Sequence, residues 1–97
     1  MLGGKLDLRI WAVEYHSGWD IYFSKFDSET KRRILAKIAH MKQPLFARGL
    51  CKSKYCVEEV GQYRIAFIQN EVLHIKEIHF VGTHKQYEKW YKSATDL

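Results

Sequence analysis

Arg64, His84 and Tyr87 are residues of types suited to chemistry on a phosphodiester. Arg64 lies in the β-type run Gly61-Gln-Tyr-Arg-Ile-Ala-Phe-Ile. His84 and Tyr87 follow a second run that ends at Gly82, in a helix-like stretch dense in His, Lys and Tyr. A guanidinium grips a phosphate through two parallel N–H donors. An imidazole takes or gives a proton near neutral pH. A phenol orients a hydroxyl or stacks on a base. Together they suit metal-free cleavage of RNA. Tyr91 lies one helical turn beyond Tyr87, on the same face as His84.

Each of these residues also has a plain reading. Tyr63, Ile65 and Phe67 share the face expected to be core, so Arg64 points the other way with Ala66 and Ile68. On its residues alone, Arg64 reads first as a surface arginine paired with Glu58 or Glu59. His84 fits a surface histidine equally well, although a position near a helix amino end favours anions. Tyr87 and Tyr91 also fit the edge of the core, as does Trp90. Arg48, Lys52 and Lys54, in the basic loop 45–54, can follow a nucleic-acid backbone together with Lys85, or simply be solvated. His74, His79 and His84 recur every five residues, but a strand sends 74 and 79 to opposite faces, so no metal site is expected. No cofactor is expected: there is no glycine-rich phosphate loop, and Ser-His-Asp catalysis has no supporting motif either.

The elements that must position these groups are legible from periodicity. Residues 8–15 read as a first strand with both faces partly covered. Ser17, with Asp20 three residues on, starts a helix with Trp19, Tyr22, Phe23 and Phe26 as its buried stripe. Asp27-Ser28-Glu29 opens a second helix, with Ile34, Leu35, Ile38 and Met41 as its apolar face and Lys31, Arg32, Arg33 and Lys37 as a basic flank. Pro44 marks its exit. Strands are predicted at about 55–60, 62–69 and 72–81, joined by a tight turn at Gly61 and by a second turn where Asn70 suits a positive φ. Thr83 caps a last helix running to about Ser93. The order is β-α-α-β-β-β-α: an α+β fold with a helical hairpin packed on an antiparallel sheet.

Composition bounds the rest. Ninety-seven residues, 46% of them hydrophobic, make one domain, residues 1–97, with a small core. The charge of +5, from 16 Lys and Arg against 11 Asp and Glu, favours polyanions. No apolar run approaches a membrane span, and Met1-Leu2-Gly3-Gly4 carries no secretory pattern, so the expected location is cytoplasmic. Cys51 and Cys56 are accordingly expected as reduced thiols.

Gly61-Gln-Tyr-Arg-Ile-Ala-Phe resembles the arginine strand of the RelE/HigB/ParE superfamily of toxins from toxin–antitoxin pairs. Ile78-His-Phe-Val-Gly-Thr-His-Lys-Gln-Tyr-Glu-Lys is similar to the ending of HigB-type members, and is the more specific of the two. The resemblance implies a helical hairpin on a curved antiparallel sheet. It implies a ribosome-dependent mRNA endoribonuclease that uses no metal, in which the ribose 2′-OH attacks the adjacent phosphate. Arg64 then stabilises the phosphate and His84 falls where members place a catalytic basic or imidazole group. Tyr87 matches the HigB-type tyrosine, and Tyr91 lies near the C-terminal tyrosine of RelE-type members. The implied partners are a cognate antitoxin, the ribosome and mRNA.

The chain departs from that pattern before Arg64, where RelE-type members carry strand lysines. Here the strand reads Cys56-Val-Glu-Glu-Val60 and the lysines, Lys52 and Lys54, lie in the loop ahead of it. Acids near a scissile phosphate oppose binding. Two alternatives therefore stand beside the nuclease: a ParE-like gyrase-inhibiting toxin, and a catalytically inactive binding module of the same fold.

Overall fold

The computed structural model describes residues 9–44, 50–51 and 53–95. Five strands form one sheet in the order β1-β5-β4-β3-β2, with β1 Ala12–Tyr15, β2 Leu50–Cys51, β3 Cys56–Val60, β4 Tyr63–Asn70 and β5 Ile75–Thr83. Helix α1 is Ser28–His40 and α2 is His84–Thr95. The expected α+β class holds. The sheet is mixed, not wholly antiparallel: β1 runs parallel to β5, while the other neighbours pair antiparallel. A parallel edge strand needs a long crossover, and the segment between β1 and β5 supplies it.

Helix α1 lies where its caps predict. The Asp27 carboxylate accepts from the Thr30 backbone N–H at 2.7 Å, satisfying an orphan donor of the first turn. Ile34, Ile38 and Met41 are buried against Ile65, Phe67, Ile78 and Val81 of the sheet. Burying each such side chain is worth about 1.5–3 kcal/mol. Leu35, expected on that face, is 46% exposed instead.

The other half of the expected hairpin is not an α-helix. Residues 17–22 form turns and Phe23–Lys25 a single 3-10 turn. Gly18, at φ +87°, breaks the helical path at its start. The aromatics then serve two directions at once. Trp19, Phe23 and Phe26 reach the α1 core, whereas Tyr22 meets Phe80 on the opposite face of the sheet at 5.7 Å. A regular helix presents one stripe and cannot do both.

Helix α2 covers that opposite face. Phe80 stacks on Trp90 at 5.1 Å, and Tyr55 meets Trp90 edge-on at 4.8 Å. With a helix on each side, Ile65, Ala66 and Phe67 are all fully buried. Thr83 caps α2 as predicted, in a reciprocal box: its N–H donates to Gln86 Oε1 at 2.8 Å, and the Gln86 N–H donates to Thr83 Oγ1 at 3.2 Å.

Three further expectations change. Among the described residues of the expected first strand only Trp11 and Val13 turn inward, and Ala12 and Glu14 are exposed, so one face of β1 is open. The positive φ of the β4–β5 turn falls on His74 (φ 60°), whose ring stacks on Trp11 at 3.8 Å, while Asn70 accepts from the Leu73 N–H. Cys51 and Cys56, expected as thiols, form a disulfide between directly paired residues of β2 and β3. Strand register brought the sulfurs together, which spacing could not foresee.

Candidate functional site

Two tight connections, the β3–β4 turn and the β5–α2 junction, set the site. Gly61, at φ +57°, allows the two-residue turn that feeds Arg64 into β4. In the register Arg64 faces Glu59 on one side and Gly82 on the other. The His84 N–H donates to the Gln62 carbonyl at 2.8 Å, tying the start of α2 to the same turn. The beginning of α2 is therefore anchored beside the Arg64 strand.

His84, Tyr87 and Tyr91 come together. They border one groove of about 350 Å³ along α2, with Glu88 and Lys92 as its remaining walls. Tyr87 and Tyr91 rings lie 5.7 Å apart. Burial pushes the Tyr87 phenol above its ordinary range, Tyr91 adds to the rise, and the nearby Arg64 charge opposes it. Arg64 thus lies within electrostatic reach of the groove without being one of its walls. The neutral phenol is suited to donating or orienting, not to serving as a phenolate base.

Two carboxylates already lie against Arg64 and His84. Arg64 Nε lies 3.6 Å from Glu59 Oε2, and its Nη1 donates to the Gly61 and Tyr63 carbonyls at 2.9 and 3.0 Å. His84 Nε2 lies 3.2 Å from Glu88 Oε2, both side chains exposed. The plain reading of Arg64 as partner of a β3 glutamate is thereby realised in this conformation. Glu58 is no threat to an anion there: it points to the α1 face and meets Lys37 at 3.4 Å.

The basic residues divide. Arg48 and Lys52 lie outside the described residues. Lys54 Nζ sits 5.3 Å from the Tyr55 ring centroid, and Lys85 is exposed in the first turn of α2. Sequence reasoning missed Lys76, which is fully buried. Its Nζ donates to the Met41 carbonyl at 2.9 Å at the end of α1, and lies 4.9 Å from the Trp11 ring centroid. Burial lowers its pKa from 10.5 to about 8, with Glu58 pulling the other way. Its burial comes from its cross-strand partner Val13 and from the end of α1, neighbours that the local sequence does not announce.

Two helices on opposite faces of a small mixed sheet, with a tyrosine-bearing last helix beside an arginine strand, define an α+β architecture that solved structures share. The chain is similar to the isolated E. coli RelE toxin, with a TM-score of 0.62 and 11% identity over 87% of this chain and 98% of that one. It is also similar to an E. coli RelE mutant in complex with an antitoxin RelBc peptide, with a TM-score of 0.61 and 12% identity over 82% and 93% of the two chains. The fold is thus that of RelE. No protein-family model and no curated protein matches the sequence. No helix among the described residues is long and apolar enough to cross a membrane.

Proposed function

We propose that the chain is a toxin of a type II toxin–antitoxin pair, acting in the cytoplasm as a single domain and a ribosome-dependent mRNA endoribonuclease. The observation that carries this reading is the grouping of His84, Tyr87 and Tyr91 on one groove of a RelE fold, with Arg64 close enough to bias the Tyr87 phenol. Arg64 turns from Glu59 to the scissile phosphate and stabilises its developing charge. His84, freed from Glu88 when RNA enters, takes the proton of the attacking 2′-OH; as the 2′-O–P bond forms the P–O5′ bond breaks, and a proton passes to the departing 5′-oxygen, leaving a cyclic phosphate and a 5′-OH. Tyr87 orients that hydroxyl, and Tyr91 stacks on a base. Lys54 and Lys85, with Arg48 and Lys52, supply the attracting field. An antitoxin is the second partner, since a RelE structure of the same fold is bound to an antitoxin peptide.

The test is expression in cells with mapping of 5′-OH RNA ends. Ends clustered in translated codons, lost with Arg64→Ala, support the proposal. Equal growth arrest by parent and variant overturns the role of Arg64. The pairing of Arg64 with Glu59 and of His84 with Glu88 favours one second reading, a catalytically inactive binding module. Growth without arrest and without new RNA ends supports that reading.

A further inference from the structure

A second cluster of chemistry-bearing side chains lies on the α2 face, toward the β1 edge. The tripeptides Glu14-Tyr-His16 and Glu77-Ile-His79 repeat the same pattern on the two parallel strands. Register sets Glu14 opposite Glu77 and Tyr15 opposite Ile78, and the His16 N–H donates to the Ile78 carbonyl at 2.8 Å. The two histidines therefore meet side by side, their rings stacked at 4.2 Å. His79 Nε2 lies 2.7 Å from Glu77 Oε1.

The local backbone is irregular where His79 sits. Ala66 pairs with Phe80 and Phe67 with Ile78, so His79 is the extra residue of a β-bulge. The bulge puts His79 and Phe80 on the same face, which strict alternation forbids. The cluster opens onto a cavity of about 300 Å³ walled in part by Tyr55, Phe80 and Trp90.

We propose that His16, Glu77 and His79 form a binding site for one divalent transition-metal ion of the zinc class. One ligand atom from each residue lies within 4.8 Å of the others. A tetrahedral zinc with bonds of about 2.0–2.1 Å places its ligands about 3.4 Å apart, so modest side-chain rotations complete the site. The Glu77–His79 contact is a 2.7 Å hydrogen bond, shorter than that separation, so the ion replaces its proton and the two groups part slightly. The stacked imidazoles have lone pairs in their ring planes, so His16 must rotate out of the stack. It can do so because it is exposed and lies just past the end of β1. Two imidazoles and a carboxylate suit Zn²⁺, Co²⁺ or Ni²⁺ over Mg²⁺ or Ca²⁺, which prefer oxygen alone. Glu14, in register with Glu77, adds negative field. Both cysteines are in the disulfide and do not compete for the ion. A bound ion would pin the β1 edge to β5 and leave its fourth position facing the cavity.

The experiment is calorimetric titration of the purified, disulfide-intact chain with ZnCl₂, repeated with His16→Ala, His79→Gln and Glu77→Gln. Expected are one site per chain, affinity at least tenfold weaker in each variant, and d–d absorption of tetrahedral Co²⁺ that is lost in His16→Ala. His40→Ala, on α1, should bind as the parent does. His16 is exposed, so its variant should keep the parent's melting temperature without metal. Zinc binding unchanged in both His16→Ala and His79→Gln, or absent from the parent, overturns the proposal. RNA cleavage enters neither outcome, so this site and the toxin reading stand or fall separately.

Discussion

Glu59 lies opposite Arg64 in the β3–β4 register, and its carboxylate holds the guanidinium at 3.6 Å. The arginine side chain is 16% exposed and that of the glutamate 64%, so the pair is closed on one side only. A phosphate approaching Arg64 from the Nε side must displace this carboxylate. Glu59→Gln should therefore raise the affinity for a short RNA about two- to fivefold, matching the ~0.5–1 kcal/mol of a partly exposed ion pair. Fluorescence anisotropy of labelled RNA reads it. Weaker binding by the variant would show that Glu59 positions Arg64 instead of masking it.

Tyr87→Phe keeps the ring that packs on Phe80 at 6.3 Å and removes the hydroxyl in the groove. Its stability should stay within about 0.5 kcal/mol of the parent. Growth arrest on induction should weaken. A variant as toxic as the parent would leave Tyr87 a packing residue.

Lys76 makes stability depend on pH in the alkaline range. The unfolded lysine holds its proton up to its ordinary 10.5, while the folded one releases it near 8. Between those values the unfolded chain binds more protons, so stability rises with pH, by a total on the order of 3 kcal/mol. Below pH 8 the lysine contributes no slope. Urea midpoints from pH 8 to 10 should increase, and Lys76→Met should flatten them. The window stops at 10 because the phenols of Tyr15 and Tyr87, raised by burial, act in the opposite sense above it.

Gly82 faces Arg64 at the end of β5, under the cap of α2. A Cβ there would meet Phe80 Cζ at 2.5 Å and Gln86 Oε1 at 2.8 Å. Gly82→Ala should cost about 1–3 kcal/mol through overpacking and a disturbed Thr83–Gln86 box. Thermal unfolding followed by circular dichroism measures the loss. An unchanged melting temperature would mean that Phe80 has room to retreat.

Cys51 and Cys56 close a short loop, and the bond fastens β2 to the sheet edge. The native chain should show no titratable thiol until reduced. Reduction should lower stability by about 2 kcal/mol in the loop-entropy account, less if the reduced loop stays ordered. Thiol titration and urea unfolding with and without reductant report both.

Sequence alone determined what depends on near neighbours. Asp27 and Thr83 announced their helices because a cap is completed within four consecutive residues. The turn at Gly61, the strand containing Arg64 and the shared helical face of His84, Tyr87 and Tyr91 follow from local periodicity for the same reason. Tertiary structure decided what depends on distant partners. The segment after Ser17 carries a helical stripe, yet its aromatics split between two faces once the sheet stands between α1 and α2. The parallel pairing of β1 with β5 joined Glu14 and His16 to Glu77 and His79 across more than sixty residues, and the bulge at His79 brought Phe80 onto the same face. Lys76 became buried because the end of α1 came to rest above it. Periodicity along a strand fixes which face a side chain takes, but register and bulges, set by packing of the whole sheet, fix whom it meets.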